Sequence, residues 1–258
     1  MRDPNRNTRP RISFRAIVLS LTVIFLQSVP PVRAQNSSLQ RDRSAANLTS
    51  PIIHFEPAND DSADRDGDSL GGASRPATQK CQQDTAYPLP MTPLLPDSSR
   101  GLTVATHPTF FVYIPPTSAP KAYFIIKDTT NDLEVYQTML PLTQTAGVIG
   151  IELPDSAPPL EVGKTYRWFV GLLCQPSQTD LPIVEGNIER IELDSELTVN
   201  ASLEEQAVSY GASGIWYDTI ERVVQLRQQQ PDNEMLSRTW WELLDSVGLA
   251  EIAIQPML

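Results

Sequence analysis

The sequence predicts an α+β fold in which an antiparallel β-sandwich, immunoglobulin-like in general shape, is followed by a C-terminal helical hairpin. Two observations predict it. Between Leu102 and Leu193, apolar residues form short, mostly alternating runs that Pro, Gly and Asn-Asp interrupt, as is typical of strands. After Ser202 the apolar residues recur about every 3.6 positions, as they do on amphipathic helices. A hydrophobic share of 40% in 258 residues is ordinary for a folded protein.

The first 34 residues have the three parts of a signal peptide. Five arginines lie within Met1–Arg15, and a largely apolar run follows from Ala16 to Leu26. This run is too short to cross a bilayer, which requires about 20 apolar residues. The sequence Val32-Arg33-Ala34 then fits a cleavage site. We therefore expect residues 1–34 to be removed and the mature chain to be periplasmic or extracellular, without a membrane span. A retained N-terminal anchor is the alternative.

Residues 35–79 are rich in Asn, Ser, Asp, Arg, Pro and Gly. Because such a composition cannot bury enough apolar surface to offset the entropy of ordering the backbone, we predict a disordered tether here. Its one apolar cluster is Ile52–Phe55. The acidic run Asp60–Asp68 resembles a calcium-binding loop, but Ala73 stands where the bidentate Glu would be. We interpret it as a solvated acidic segment.

Residues 80–200 contain seven candidate strands. Because no helix long enough to connect parallel neighbours separates them, we expect antiparallel sheets packed as a sandwich. Tyr166, Trp168 and Val170 should share one face of their strand, and Asp132 should lie in a tight hairpin turn. The candidate strands are Leu102–Ala105, Thr109–Ile114, Lys121–Lys127, Glu134–Leu140, Val148–Leu153, Thr165–Cys174 and Ile183–Leu193.

Residues 201–258 predict a helical hairpin that packs on the sandwich. The first helix covers Gly214–Gln229, and the second follows Pro231, with Asp232 as its N-cap, and ends at Gly248.

Each predicted helix carries two adjacent aromatic residues. Trp216 and Trp240 fit the apolar stripe, whereas their neighbours Tyr217 and Trp241 point about 100° away. Tyr217 and Trp241 are therefore the candidates for partial exposure and for a binding surface, with simple core packing as the alternative.

The chain has only two cysteines and two histidines. In an exported chain, Cys81 and Cys174 are expected to form one disulfide. The alternative is a nucleophilic Cys174 activated by His107, which would leave Cys81 as a lone exposed thiol. With the cysteines paired, too few ligands remain for zinc, and neither a phosphate loop nor a dinucleotide motif occurs. We therefore predict no catalytic residue, no metal ligand and no cofactor.

The folded region also resembles a known family over most of its length. The segments that carry the resemblance are GGASR (Gly71–Arg75), PTFFVYIP (Pro108–Pro115), VYQT (Val135–Thr138), LEVGKTYRWFVGLLC (Leu160–Cys174), VEGNIERI (Val184–Ile191), GIWYD (Gly214–Asp218) and WELLDSVGL (Trp241–Leu249). On these segments the chain is similar to the secreted cyanobacterial family catalogued as domain of unknown function 928. That family has no assigned reaction, so the resemblance implies no catalytic residue. It implies a genomic association with extracytoplasmic sensor proteins, and hence an envelope sensing or accessory role.

Two classes of function follow from these observations. A formal net charge of −11 argues against nucleic acid as a partner, because phosphates are bound by a surplus of Lys and Arg. We expect a non-enzymatic envelope module that binds an envelope protein or an extracellular ligand. The alternative is a hydrolase that acts on envelope carbohydrate or peptide through two carboxylates. Its candidate acids are Glu161, Glu185, Glu189 and Glu192, which are equally typical of the solvated face of a sheet.

Overall fold

The computed structural model describes residues 53–57, 89–143, 145–175, 181–193 and 201–258. Within them, strands come first and helices follow, so the α+β prediction is confirmed at this level. The strands are β1 (Thr92–Pro93), β2 (Arg100–Thr103), β3 (Thr109–Ile114), β4 (Lys121–Asp128), β5 (Glu134–Pro141), β6 (Gly147–Glu152), β7 (Thr165–Leu173) and β8 (Ile183–Arg190). The helices are α1 (Leu203–Ala212), α2 (Trp216–Gln229), α3 (Glu234–Asp245) and α4 (Ala250–Ala253).

The strands form two sheets. One has three strands in the order β1-β3-β6, and the other has five strands in the order β2-β8-β7-β4-β5. All the strand pairs are antiparallel except β2 and β8, which are parallel. The prediction of purely antiparallel sheets is therefore wrong at β2. A helical crossover is needed only between parallel strands that follow each other in sequence, whereas five other strands separate β2 from β8.

The apolar core includes one face of each sheet. Tyr166, Trp168 and Val170 on β7 are buried while Arg167 between them is exposed, which confirms the predicted alternation. The ring of Phe110 on β3 lies 5.1 Å from that of Phe124 on β4 and 5.5 Å from that of Trp168. Aromatic contacts therefore join the two sheets. At the β4–β5 turn Asp132 has a φ of 55°, as the predicted tight hairpin requires.

The helical region has four helices where two were predicted. Helix α1 begins after Ser202, whose hydroxyl accepts a hydrogen bond from the Glu205 N–H while the Glu205 side chain bonds back to the Ser202 N–H. Helices α2 and α3 contact each other. The N-cap of α3 is Asn233, not Asp232, because the Asn233 side chain accepts the Met235 N–H at 3.0 Å. None of the described helices is long and apolar enough to span a membrane.

Residues Ile53–Pro57, here called the docked segment, pack on the helices. Ile53 and Phe55 are buried, and the Phe55 ring lies edge-on to Trp216, with the ring centres 4.8 Å apart. The Glu56 N–H also donates to the Gly211 carbonyl at 3.0 Å. The prediction of a disordered tether over residues 35–79 is therefore wrong at this segment. Two apolar side chains and a backbone hydrogen bond offset the entropy of ordering five residues.

Several predictions fall outside the described residues. They concern the signal peptide over residues 1–34, the acidic run Asp60–Asp68 and Cys81. Cys174 follows β7 and is half-buried, and it is not a free thiol. Its pairing with Cys81 stays a prediction.

Candidate functional site

A cavity of about 320 Å³ lies beside β2, the edge strand of the five-stranded sheet. Its wall is built from the docked segment, the loop before β2, the strand itself, the end of β8 and the turn before α2. The apolar lining residues are Phe55, Pro57, Pro96, Leu102 and Ile191.

The register between β2 and β8 places the lining side chains on one face of the sheet. Arg100 pairs with Asn187 and Leu102 pairs with Glu189. Because side chains alternate along a strand, Arg100, Leu102 and Glu189 share the face that lines the cavity. Gly101 between them faces the core, where a Cβ atom would lie 2.7 Å from the Tyr217 ring.

One ion pair interrupts the apolar wall. The Arg100 guanidinium hydrogen-bonds the Glu189 carboxylate, and both side chains remain partly exposed. Ser98 also lines the cavity, but its hydroxyl is directed at the backbone, donating to the Arg100 carbonyl at 3.2 Å. The arrangement can therefore hold an apolar group against the prolines and aliphatic side chains, and a polar group beside the ion pair.

A second cavity, of about 290 Å³, lies against the same docked segment. Phe55 lines both cavities. The other described residues that line the second cavity come from the docked segment and the α3 region, and they are Ile53, His54, Glu242, Leu243, Asp245 and Ser246. The docked segment thus forms part of the wall of both cavities.

A buried carboxyl group holds α2 against the end of β2. The Thr103 hydroxyl and the Val104 N–H donate to Oδ2 of Asp218, at 2.8 and 3.1 Å. Burial raises the pKa of Asp218 to about 6; the nearby Glu221 also raises it, and the two hydrogen bonds oppose the shift. Asp218 lines neither of the two cavities, so we assign it a structural role.

The two predicted binding residues, Tyr217 and Trp241, differ in exposure. Tyr217 is 2% exposed, so the expectation of partial exposure is wrong for it. Its hydroxyl accepts the Trp168 Nε1–H at 2.7 Å and donates to the Asn187 carbonyl at 3.1 Å. The reason is that the start of α2 is covered on two sides, since Trp216 faces the docked segment and Tyr217 faces the sheet. Trp241 is 43% exposed, as expected, and its role in binding stays a prediction.

Three of the four candidate acids line neither of the two cavities. Glu189 lines the first cavity in its pair with Arg100, and Glu161 is exposed and bonded to Lys164 Nζ at 2.7 Å. Glu185 and Glu192 are exposed. Glu185 and Glu189 are four positions apart on β8, so their Cα atoms are about 13 Å apart. This separation is wider than the spacing of two glycosidase carboxylates.

The residues that the sequence did not reveal are Phe55, Arg100 and Asp218. Phe55 belongs to the apolar cluster Ile52–Phe55, which was a detectable signal in an otherwise polar segment. Asp218 is on the polar side of the predicted α2 stripe, where a solvent-facing acid is expected. In the fold the residues at the end of β2 bond to it, and it is buried. His107, the candidate base, lies within 3.1 Å of the Ala157 carbonyl through Nε2.

Comparisons with known proteins identify a family. The comparison with curated proteins gave no match, and neither did the comparison with solved structures. The match to a family model begins before β1 and covers both sheets and all four described helices. The chain thus belongs to the family described as Domain of Unknown Function (DUF928), whose model matches residues 70–257.

Proposed function

We propose that this chain is an exported, non-enzymatic binding module of the cell envelope, and that the cavity beside β2 is its ligand site. The observation that carries the proposal is the composition of that cavity. Among its described lining residues, five have apolar side chains and two form the Arg100–Glu189 ion pair. Small-molecule sites combine an apolar lining with a few polar groups in this way.

The size and chemistry of the cavity favour a small amphiphilic ligand. A volume of about 320 Å³ is at the lower end for ligand sites, so the ligand is smaller than most drugs. Its apolar part would lie against Pro57, Pro96 and Ile191. A carboxylate, sulfonate or hydroxyl group would lie beside Arg100, where it can accept a hydrogen bond.

Carboxylate-dependent hydrolysis has less support at this cavity. Among the described residues that line it, Glu189 is the one with a carboxyl group, and Arg100 already binds that group. A glycosidase mechanism needs a second carboxyl group on the other side of the scissile bond.

Binding of anilinonaphthalene sulfonate tests the ligand site, because this dye joins an apolar ring system to an anion. We expect saturable binding to the folded protein. Ile191→Trp should fill the cavity and weaken binding at least about tenfold. Ile183→Trp is the matched control, since Ile183 is an exposed residue at the start of β8, the strand that Ile191 follows, and does not line the cavity. Equal loss in both variants, or no effect in either, would place the dye elsewhere.

The fold proposal that accompanies this function is a β-sandwich with a helical hairpin packed on it. The contacts of Phe110 with Phe124 and Trp168 support the sandwich, and the contact between α2 and α3 supports the hairpin.

Export is the remaining part of the proposal, and the signal-like residues 1–34 support it. Intact-mass measurement of the protein from an envelope fraction should give a chain that begins at Gln35. A cytosolic, full-length chain would contradict export without affecting the ligand site. A link to extracytoplasmic sensing stays a proposal that rests on the family resemblance.

A further inference from the structure

Strand β5 is at an edge of the five-stranded sheet. Among the described residues its one neighbouring strand is β4. The other sheet edges are protected in ways that natural proteins commonly use. Strand β1 has two residues and ends in Pro93. The C-terminal residues bond to β6, where the Leu258 N–H donates to the Val148 carbonyl at 2.9 Å. At the end of β2, the Val104 N–H donates to Asp218.

The composition of β5 is unusual for an exposed edge. Glu134 at its start is its one charged residue, and Pro141 ends it, so the six residues Val135–Leu140 between them are uncharged. Two apolar side chains are exposed here: Met139 at 48% and, just before the strand, Leu133 at 62%. A β-bulge at Val135 and the terminal Pro141 limit the regular part of this edge to Tyr136–Leu140. An uncharged regular edge with an exposed apolar side chain is a template for pairing with another strand.

We propose that a second copy of this chain covers this edge, with the two β5 strands paired antiparallel about a twofold axis at Gln137. A twofold axis perpendicular to the sheet keeps the same face of both copies on the same side, so residues of equal parity lie opposite each other. Gln137 then faces Gln137 of the second copy, and Tyr136 faces Thr138. Val135 lies in a β-bulge, since Tyr136 pairs with Ile126 and Glu134 with Lys127, so the regular pairing is centred on Tyr136–Thr138. Aromatic and β-branched pairs of this kind stabilise antiparallel strands. Each copy would cover the exposed Met139 of the other.

The charges near β5 favour a second copy as the occupant. Antiparallel pairing brings the start of one β5 beside the end of the other, so the two Glu134 residues stay apart. Lys121 on β4 is opposite Pro141 at the end of β5 and is exposed. Glu134 pairs with Lys127, so Glu134 and Lys121 share the outer face of the sheet. Across the twofold axis their backbones are about two strand spacings apart, roughly 10 Å, which the two long side chains span. The pairing creates two such Glu134–Lys121 contacts.

Light scattering coupled to size-exclusion chromatography tests the dimer on the whole chain. The parent should change from monomer to dimer as its concentration rises. Gln137→Lys should raise the dissociation constant at least about tenfold, because two lysines would face each other at the axis. Ile183→Lys adds the same charge on the same sheet face but away from β5, and should leave the dimer unchanged. A parent that stays monomeric at about 0.5 mM, or a Gln137→Lys variant that dimerises like the parent, overturns the proposal.

A charge exchange between Lys121 and Glu134 checks the register without altering Gln137 at the axis. Lys121→Glu alone should weaken the dimer, and the double variant Lys121→Glu with Glu134→Lys should restore it. If Gln137→Lys lowers the melting temperature, loss of the dimer in that variant could result from misfolding. The charge exchange, which leaves Gln137 unchanged, then tests the dimer. Failure of the double variant to recover the dimer overturns the register. A monomeric parent that instead binds an added extended peptide at β5 shows that a different protein occupies this edge, and it too overturns the proposal. None of these outcomes depends on the ligand cavity, which is in the docked-segment region beside β2.

Discussion

Close contact between two buried residues determines how α2 meets the sheet. Gly101 on β2 lies against the Tyr217 ring, and a Cβ atom at position 101 would be 2.7 Å from Cε2 of that ring. Tyr217 is held in turn by the Trp168 and Asn187 hydrogen bonds, so it has little freedom to move. A glycine at this position is required because of the close approach, not because of its backbone angle.

We expect Gly101→Ala to destabilise the protein by about 1–3 kcal/mol, since the added methyl group forces the Tyr217 ring or the strand to shift. Urea unfolding followed by circular dichroism measures the change. Gly171→Ala is the matched control in another strand, because its nearest neighbour would be a side-chain atom of Ile183 at 3.4 Å, an ordinary contact. Similar losses in the two variants would show that the cost arises from strand glycines in general.

The buried Asp218 should make stability depend on pH. Its pKa is raised from 3.8 to about 6 by folding, so the folded state binds its proton more tightly than the unfolded state does. The contribution of Asp218 to stability is therefore complete below pH 4 and is lost as the pH rises through 6. A difference of about two pKa units corresponds to about 3 kcal/mol.

Asp218→Asn should remove this dependence. We expect the free energy of unfolding of the variant, relative to that of the parent, to increase between pH 4 and pH 7. Urea unfolding at both pH values measures it, and Asp232→Asn, a change at an exposed residue between α2 and α3, is the control. A constant difference between Asp218→Asn and the parent would mean that the carboxyl group does not titrate in this range.

At the scale of single elements, the docked segment behaves as part of the core although it is short and lacks regular secondary structure. Phe55→Ala should lower the free energy of unfolding by about 3 kcal/mol, because it removes a buried ring that packs on Trp216. His54→Ala, at the exposed neighbouring position, should change stability by less than about 0.5 kcal/mol. Thermal melts of the three proteins compare the two changes. If Phe55→Ala melts like the parent, the segment does not stabilise the fold.

Helix α3 separates its two adjacent tryptophans into a core residue and a surface residue. Trp240 is buried and donates its Nε1–H to the Ala253 carbonyl at 3.1 Å. The Arg227 guanidinium lies over the Trp240 ring, with its central carbon 5.1 Å from the ring centre. Trp241 is on the exposed side of the helix.

Trp240→Ala should therefore cost about 3–5 kcal/mol of stability, and Trp241→Ala less than about 1 kcal/mol. If Trp241 contacts an envelope partner, Trp241→Ala should also weaken capture of that partner from envelope extracts while the melting temperature stays near that of the parent. A large loss of stability in Trp241→Ala would assign this residue to the core instead.

At the scale of the whole molecule, the predicted bridge between Cys81 and Cys174 would join the start of the matched region to the end of β7. Labelling of the unreduced, denatured protein should find no thiols, and labelling after reduction should find two. Closing a loop of this length stabilises a fold by about 4–5 kcal/mol in the chain-entropy account. The reduced protein should therefore melt at a lower temperature. Two free thiols before reduction would exclude the bridge.

Much of the fold follows from local pattern. Thr109–Ile114 matches β3 at both ends, and the alternation of Tyr166, Trp168 and Val170 correctly placed one face of β7 in the core. Helix α2 begins two residues after the predicted start and ends at the predicted residue. Such agreement is expected where one element has one buried face, because the spacing of apolar residues then records which face it is.

The candidate site was predicted less well, because its residues come from segments far apart in sequence. Phe55, Leu102, Ile191 and Gly214 meet only when the docked segment, β2, the end of β8 and the turn before α2 are assembled. Of the four candidate acids, Glu189 lines the cavity. Its partner Arg100 has no distinguishing local pattern in the sequence.

By itself, the sequence determined the class of fold, the positions of most strands and of α2 and α3, and the family to which the chain belongs. The tertiary structure decided that β2 runs parallel to β8, that Ile53–Pro57 packs on the helices and that Tyr217 is buried while Trp241 is exposed. The physical reason is that the period of a segment records only that one of its faces is apolar. Whether another segment covers the remaining face depends on residues far away in sequence. Tyr217, for example, is off the apolar stripe of α2 and is covered by β2, where Gly101 lies against its ring. Such contacts form only once the whole chain is packed.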